Sequence, residues 1–231
     1  MTEQELNIEK VNPKHVGIVL DGNRRFAKRL MLQPWKGHEL GYGKVEKLFE
    51  WCKELEIKQL TLYVFSVKNF NRPKKEFDYL MKLFEEAFSK AKEDSRLKDI
   101  KVNFIGRIYM FPEKVKNAMN ELMEKTKDNK GHIINFAMAY GGRQEIIDSV
   151  KRLIASGKEV NEENLGDCMY INDDVDLIIR TSGEHRTSDF LPWQADYAEW
   201  IFLDKMWPEF EKEDLINCIK DFKERNRRFG A

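Results

Sequence analysis

The chain has 231 residues, of which 42% are hydrophobic and 35% charged, a composition typical of a globular protein. This length is enough for one sizeable core and lies at the upper end for a single domain. The 40 basic and 40 acidic residues give a formal net charge of zero. Because nucleic-acid binding usually requires a basic excess, this balance disfavours a nucleic-acid partner.

Membrane-spanning and secretory signals are missing from the sequence. No segment approaches the roughly 18 apolar residues that a transmembrane helix needs. Residues 1–10 are polar and acidic and lack the apolar core of a signal peptide, so we expect a cytoplasmic protein. Cys52, Cys168 and Cys218 lie far apart without zinc-site or disulfide spacing, which predicts buried free thiols.

Short apolar, β-branched runs alternate with segments of helical periodicity. The predicted strands are 16–20, 60–65, 102–105, 133–137, 175–179 and, with the weakest pattern, 200–203; helical stripes cover 45–55, 77–91, 115–123, 146–154 and 215–222. This alternation predicts one α/β domain over residues 1–231, with a mostly parallel central sheet of about six strands flanked by helices. Residues 1–14 and 226–231 are expected to be flexible ends.

The first functional signal follows the first strand. In open parallel sheets, ligands bind beyond the carboxyl ends of the strands. The segment Asp21-Gly22-Asn23-Arg24-Arg25 places a carboxylate and a glycine before a helix start, which suits Mg²⁺ and a phosphate group. An ordinary Asp-Gly turn with exposed arginines is the alternative interpretation.

Polar side chains also follow other predicted strands. Arginine forks match pyrophosphate oxygens, and hydroxyl groups complete the ligand shell. No Gly-rich loop ending in Gly-Lys-Ser/Thr is present, which disfavours a P-loop nucleotide site. The Gly-Gly turn at 140–143 is interpreted as a tight connection. The strand-end and helix-start candidates are His38, Ser66, Asn69, Arg72, Arg180, Arg186 and Ser188.

An aromatic-rich stripe begins directly after the loop that carries Arg72. It contains Phe77, Leu80, Phe84 and Phe88 at helical spacing. Such a stripe is usually part of a hydrophobic core. Beside a phosphate-binding edge, it also predicts the wall of an apolar tunnel.

These motifs, taken together and in order, resemble those of the cis-prenyltransferases, and most of all the bacterial undecaprenyl pyrophosphate synthases. The resemblance covers residues 15–230. It rests on the segments 15–23, Gly37-His38, Phe65-Ser66, Asn69-Phe70-Asn71-Arg72-Pro73, Tyr140-Gly141-Gly142-Arg143, 180–186 and Arg227-Arg228-Phe229-Gly230.

The resemblance implies a Mg²⁺-dependent homodimer that condenses isopentenyl pyrophosphate repeatedly onto farnesyl pyrophosphate. The new double bonds would be cis, and the product would be undecaprenyl pyrophosphate for a cell-wall lipid carrier. It also implies peripheral membrane contact for product release. A non-catalytic partner subunit of the same fold is the alternative. A trans-type synthase and an aspartate-based phosphohydrolase are disfavoured because their carboxylate spacings are missing.

The resemblance also implies roles for individual residues. Asp21, His38 and Asn69 would be catalytic, and Asp21 with Glu199 would hold the metal. The allylic pyrophosphate would contact Gly22, Asn23, Arg25, His38 and Arg72; Ser66 and Asn69 would lie near the reacting carbons; Arg180, Arg186 and Ser188 would hold isopentenyl pyrophosphate. Further predicted substrate-binding residues are Arg24, Phe26 and Phe70. Pro34 stands where the family commonly has an arginine, and Lys36 is the predicted replacement.

Overall fold

The structure is a computed structural model that describes residues 12–225. Its strands are β1 (His15–Val19), β2 (Gln59–Ser66), β3 (Ile100–Ile105), β4 (His132–Tyr140), β5 (Leu177–Arg180) and β6 (Glu199–Phe202). They form one six-stranded sheet in the order β3-β4-β2-β1-β5-β6. Every neighbouring pair is parallel, so all the carboxyl ends meet at one edge. The predicted α/β fold is confirmed.

The connections between strands are mostly helical. The helices are α1 (Asn23–Arg29), α2 (Pro34–Glu54), α3 (Lys74–Ala91), α4 (Glu113–Thr126), α5 (Gly142–Ser156), α6 (Glu162–Gly166) and α7 (Lys212–Glu224), with 3₁₀ turns at Val67–Asn71, Ser95–Leu97, Ile108–Met110 and Trp207–Glu209. Within residues 12–225, no helix has both the length and the apolar character needed to span a membrane.

The sheet is buried on both faces, as its continuous apolar strands predict. Every residue of β1 is buried. One face supports a large core that includes a cluster of phenylalanine rings around Phe65, Phe84 and Phe136. The other face supports a smaller cluster that includes Tyr140 and Phe190. The helices therefore cover both faces of the sheet, and ligands can approach at its carboxyl edge.

The prediction that the cysteines are buried is confirmed at two of three positions. Cys52 and Cys218 are buried, and burial raises the pKa of each thiol to about 12. Cys168 is only half-buried. All three are free thiols.

Part of the predicted N-terminal end, residues 12–14, lies within the described residues. Residues 12–14 are held in place, since the Lys14 amide donates to Asp176 Oδ2 at 2.8 Å and the Asn12 side chain reaches the Leu55 carbonyl. The C-terminal segment Arg227-Arg228-Phe229-Gly230, predicted to reach a phosphate site, lies outside the described residues.

Two glycines on one face of α2 bring that helix against α1. A Cβ atom at Gly37 would lie 1.9 Å from the Asn23 carbonyl oxygen, and one at Gly41 would lie 2.2 Å from Asn23 Oδ1. The Trp207 indole donates to the Gly41 carbonyl at 2.9 Å and so fixes the same contact from another side. The absence of side chains at these positions sets the distance between α2 and the segment that follows β1.

We therefore expect Gly37→Ala to lower the free energy of unfolding by about 3 kcal/mol, the upper range for overpacking, because the obstructing atom is backbone. Gly43 lies on the same helix, and a Cβ atom added there would have no atom within 4 Å, which makes it a matched control. Gly43→Ala should be neutral or stabilising by up to about 1 kcal/mol through helix propensity. Urea unfolding of both variants measures this, and equal stabilities would contradict the packing role.

Candidate functional site

A cleft of about 780 Å³ lies at the carboxyl edge of the sheet. Asp21, which follows β1, and Arg180, which ends β5, meet there. Arg180 Nη2 lies 2.8 Å from Asp21 Oδ2, and the Gly22 amide donates to Asp21 Oδ1 at 2.7 Å. The arginine side chain is only 3% exposed, whereas the carboxylate is 29% exposed. The buried Arg180 therefore holds the Asp21 carboxylate in place, where it faces the cleft.

The loop after β5 is held in an unusual backbone conformation. Ser182, Ser188 and Asp189 all have positive φ, at 86°, 52° and 66°. Non-glycine residues rarely adopt this region, and its cost persists only where the surroundings enforce it. Arg180 Nη1 donates to Ser188 Oγ at 2.7 Å, so the buried guanidinium is one of the groups that enforce this loop.

Two exposed arginines flank the Asp21–Arg180 pair. Arg25 and Arg186 contact opposite carboxylate oxygens of Glu184, and Arg25 Nη2 also lies 3.5 Å from Asp21. Their side chains are 45% and 58% exposed. Since exposed ion pairs contribute little stability, both arginines can exchange Glu184 for an incoming phosphate at low cost.

A second charged cluster, centred on Glu76 in the first turn of α3, adjoins the cleft. The Glu76 carboxylate is buried, and its Oε1 lies 3.2 Å from Arg72 Nη1, 3.4 Å from His38 Nε2 and 3.5 Å from Arg24 Nε. Arg72 Nη1 is 3.0 Å from His38 Nε2. Nε2 of a neutral His38 accepts from Arg72 in one tautomer and donates to Glu76 in the other.

The pKa shifts agree with that protonation state. Burial lowers the pKa of His38 below its usual range, with Arg72 and Arg24 acting in the same direction and Glu76 opposing them. The contact with His38, followed by the charges of Arg72 and Arg24, holds the pKa of Glu76 low. At neutral pH this cluster therefore contains a carboxylate, two guanidinium groups and a neutral imidazole.

An apolar cavity opens from the same edge, between α2 and α3. It encloses about 100 Å³ of free space. Of the predicted wall residues, Leu80, Phe84 and Phe88 line it, while Phe77 instead packs on Phe70. Leu20, Asn23, His38 and Arg72 line both this tunnel and the polar cleft, so the two spaces share their mouth.

Several predicted site residues occupy other positions. Asn69 Oδ1 accepts the Ser66 amide at 3.0 Å in a capping box that begins the 3₁₀ turn after β2. Phe70 packs in the aromatic cluster. Phe26 carries the Arg29 guanidinium over its ring at 5.0 Å. Ser66, Asn69, Phe70 and Phe26, like Ser188, line neither the cleft nor the tunnel.

Lys36, the predicted replacement for the missing arginine, lies outside the lining of the cleft. Its ammonium group pairs with Glu39 at 2.6 Å. Pro34 is the first residue of α2 and does line the cleft. Lys28, one turn past Arg24 on α1, supplies a cation to this wall.

The predicted pairing of Asp21 with Glu199 on one metal is wrong within this chain. Glu199 begins β6 and is level with Leu177, the first residue of β5, whereas Asp21 lies beyond the carboxyl end of β1. Its carboxylate pairs with Arg225 at 2.8 Å. The two carboxylates therefore lie toward opposite edges of the sheet.

A single carboxylate nevertheless fits Mg²⁺. Within residues 12–225, no three His, Cys, Asp or Glu side chains cluster as a metal site. Mg²⁺ is commonly bound through one or two carboxylates together with substrate phosphates. Each Asp21 oxygen takes one close hydrogen bond in the structure and retains a lone pair, so Asp21 suits a metal that a pyrophosphate brings.

Sequence reasoning missed Glu76, Lys28 and Trp207. Glu76 lies in the first turn of α3, four residues after Arg72, and this spacing was the available signal. Lys28 was equally accessible, as the residue one helical turn after Arg24. Trp207 follows β6 after a turn, and its contact with Gly41 spans 166 residues of sequence, so no local pattern indicates it.

We expect Glu76→Gln to lower the free energy of unfolding by about 3 kcal/mol, because Arg72 and Arg24 lose a buried anionic partner. Inorganic pyrophosphate should raise the melting temperature more in this variant than in the unmodified protein, since it supplies the missing negative charge. Glu39→Gln, at a 46% exposed carboxylate, is the control and should change neither quantity appreciably. Equal pyrophosphate shifts in all three proteins would contradict the role of Glu76.

Comparison with known proteins places this geometry in a family. The family model described as undecaprenyl diphosphate synthase matches residues 19–230. The tritrans,polycis-undecaprenyl-diphosphate synthase (geranylgeranyl-diphosphate specific) of Pyrococcus horikoshii is 46% identical over 238 residues, covering 96% of this chain and 90% of that protein. An isoprenyl transferase of Thermus thermophilus is 44% identical, covering 94% of this chain and 89% of that protein.

Two solved structures have folds similar to that of this chain. Lavandulyl diphosphate synthase from Lavandula x intermedia, in complex with dimethylallyl diphosphate, superposes with a TM-score of 0.90 at 30% identity, covering 96% of this chain and all of that one. A probable undecaprenyl diphosphate synthase from Campylobacter jejuni gives 0.83 at 34% identity, with the same coverage. The chain belongs to the cis-prenyltransferase family.

Proposed function

We propose that this enzyme condenses isopentenyl pyrophosphate repeatedly onto farnesyl pyrophosphate, with Mg²⁺, to give undecaprenyl pyrophosphate. The main support is that the cationic cleft and the apolar tunnel open at the same place, since Asn23, His38 and Arg72 line both. An allylic pyrophosphate needs both environments at once. A non-catalytic partner subunit is disfavoured because Asp21 and Arg180 form an intact pair at this edge.

The side chains suit an ionisation step. Breaking the allylic C–O bond develops negative charge on the departing pyrophosphate, and Mg²⁺, when bound at Asp21, would stabilise that charge. Arg25, Arg72 and Lys28 would bind the same group from the cleft walls. The phenylalanine-rich tunnel excludes water from the electron-deficient carbon, which protects it from hydrolysis.

Isopentenyl pyrophosphate would bind on the β5 side. Arg186 lines the cleft, and Arg180 and Ser182 lie beside it at the end of β5. Among the described residues, Arg180 Nε and Ser182 Oγ are buried polar atoms without a hydrogen-bond partner in the protein. Buried donors are costly when unpaired, so both suit phosphate oxygens.

Geranylgeranyl pyrophosphate is a second candidate for the allylic substrate. Several archaeal relatives, including those of Methanopyrus kandleri and Pyrococcus horikoshii, carry names that specify geranylgeranyl diphosphate. Comparing kcat/KM for the two allylic substrates decides between them. Because a polyprenyl product is poorly soluble in water, we also propose peripheral contact with the cytoplasmic face of a membrane during product release.

Asp21→Asn should lower kcat by roughly 10²-fold, because it removes an electrostatic element whose contribution grows in the transition state. Asparagine retains a hydrogen-bond acceptor for Arg180, which alanine would not. Binding of the allylic pyrophosphate should change far less. Single-turnover kinetics together with direct binding measures both quantities, and normal turnover in Mg²⁺ would rule out this role for Asp21.

Arg186→Ala should raise the KM for isopentenyl pyrophosphate by roughly tenfold and leave kcat nearly unchanged, the pattern of lost uniform binding. Arg143→Ala is a suitable control, since that exposed arginine lines neither cavity. Steady-state kinetics with varied isopentenyl pyrophosphate makes the comparison. A fall in kcat at constant KM would place Arg186 in the chemical step instead.

We also propose that the enzyme is a homodimer. An exposed apolar stripe on α5 supports this: Ile147, Val150 and Ile154 are 49%, 38% and 69% exposed at helical spacing. The adjacent 3₁₀ turn carries Tyr109, which is 69% exposed, and the Arg107–Asp148 ion pair at 2.8 Å ties that turn to α5. Exposed apolar side chains grouped on one face of a helix favour an interaction site.

Ile154→Glu should shift the protein from dimer toward monomer, because it places a charge in the proposed interface. Val160→Glu is the matched control at a 76% exposed position beyond the end of α5, and should leave the assembly unchanged. Sedimentation velocity over a concentration series measures the outcome. An Ile154→Glu variant as dimeric as the control would exclude this surface.

A further inference from the structure

The turn between α1 and α2 exposes consecutive apolar side chains. Leu30, Met31 and Leu32 are 48%, 96% and 44% exposed, and we call them the apolar tip. A run of exposed apolar residues favours aggregation, so such runs are usually kept only where a function needs them. Met31 and Leu32 also line the cleft. Because they are both exposed and part of its lining, the apolar tip lies at the rim of the cleft.

The backbone of the turn fixes Met31 in its exposed position. The Met31 amide donates to the Lys28 carbonyl at 3.0 Å and the Leu32 amide to the Ala27 carbonyl at 2.8 Å, the two bonds of a Schellman motif that ends α1. Met31 has a φ of 57°, at the position of this motif that glycine usually occupies. A methionine there strains the backbone and, being almost fully exposed, gains little packing within the chain. Folding does not explain this side chain, whereas an external apolar contact does.

Basic side chains flank the apolar tip. Residues 22–38 contain no acidic residue, although the whole chain has a net charge of zero. Their basic residues are all exposed: Arg24, Arg25, Lys28, Arg29 and Lys36. Arg29 pairs with Glu209 at 2.7 Å and Lys36 with Glu39 at 2.6 Å, while Lys28 lines the cleft beside the tip. Cations around exposed apolar side chains complement a surface that has anionic head groups above an apolar interior.

An aromatic pair follows the apolar tip. Trp35, in the first turn of α2, lies against Tyr79 of α3 with ring centroids 6.0 Å apart. Both residues are half-buried, and the Tyr79 hydroxyl donates to Glu39 Oε2 at 2.8 Å. Tryptophan and tyrosine are enriched where membrane and water meet, because each combines an apolar ring with a polar group. This pair therefore suits the boundary between an inserted tip and the solvent.

We propose that the apolar tip and its flanking cations form a docking surface for an anionic lipid bilayer. The proposal rests on the proposed function, because it names the surface beside which a lipid product would leave. A prenyl chain in the tunnel, with its pyrophosphate in the cleft, can leave through the opening that the two spaces share. When the rim of the cleft is inserted in a bilayer, the chain passes into lipid without the unfavourable exposure of its length to water.

Flotation with lipid vesicles tests the docking surface without any substrate. The unmodified protein should bind vesicles of equal parts phosphatidylglycerol and phosphatidylcholine. It should bind vesicles of phosphatidylcholine alone more weakly by about fivefold or more, the factor that one cation contributes near an anionic surface. Met31→Asp and Met31→Gly should each weaken binding to the mixed vesicles by roughly tenfold, the effect of burying a methionine side chain. Glycine adds no charge and tolerates the positive φ, so the melting temperature of Met31→Gly should not fall.

Val160→Asp and Val160→Gly are the matched controls at another exposed apolar position, beyond the end of α5, and should bind as the unmodified protein does. Unweakened binding of the Met31 variants, equal losses at both positions, or no preference for anionic vesicles would overturn the proposal. A Met31-dependent change in oligomeric state without vesicle binding would also overturn it and assign the apolar tip to a second copy of the chain. Met31-dependent vesicle binding by a protein that forms no polyprenyl product would refute the proposed function and support the docking surface.

Discussion

The arrangement of the site depends on one buried charge. The Arg180 guanidinium is 3% exposed at the end of β5, and an isolated charge in that position would cost several kcal/mol. Asp21 neutralises it from the end of the neighbouring strand β1. The same guanidinium donates to the Arg186 carbonyl and to Ser188, which holds the loop after β5. The Asp21–Arg180 pair therefore joins two strand ends and shapes the wall of the cleft.

A parallel sheet explains why polar and apolar binding spaces adjoin. All carboxyl ends meet at one edge, so cations contributed by α1, by the β2–α3 connection and by the loop after β5 converge there. The close contact of α2 with α1, through Gly37 and Gly41, places the tunnel directly below that edge. A substrate with a charged head and an apolar tail matches this juxtaposition without any movement of the sheet.

Much of the fold could be predicted because the local pattern and the fold agree. The run at 16–20 is apolar and the run at 60–65 is apolar apart from Thr61 and Tyr63, as expected for largely buried strands, and they correspond to β1 and β2. The strand order could not be predicted, because pairs such as β1 with β5 join segments about 160 residues apart. Strand ends were less accurate where polar residues continue a strand, as at Arg180.

The site was predictable where a residue directly follows a strand, and less so elsewhere. Asp21 and Arg186 line the cleft as that rule predicts. Glu199 is the first residue of its strand, so the same rule argued against it. Glu76 was not predicted as a site residue, because an acidic residue in the first turn of a helix is usually exposed to solvent and interacts with the helix dipole. Only the fold shows that Arg24, His38 and Arg72 surround it.

We propose that the cationic cleft and the apolar tunnel serve one reaction, repeated chain elongation. Mass spectrometry of the products formed by the purified protein from isotope-labelled isopentenyl pyrophosphate, an allylic pyrophosphate and Mg²⁺ tests this most directly. We expect a series of prenyl pyrophosphates that differ by five carbons, each carrying one more labelled unit. Release of pyrophosphate without incorporation of labelled units, or a single condensation that never continues, would contradict it.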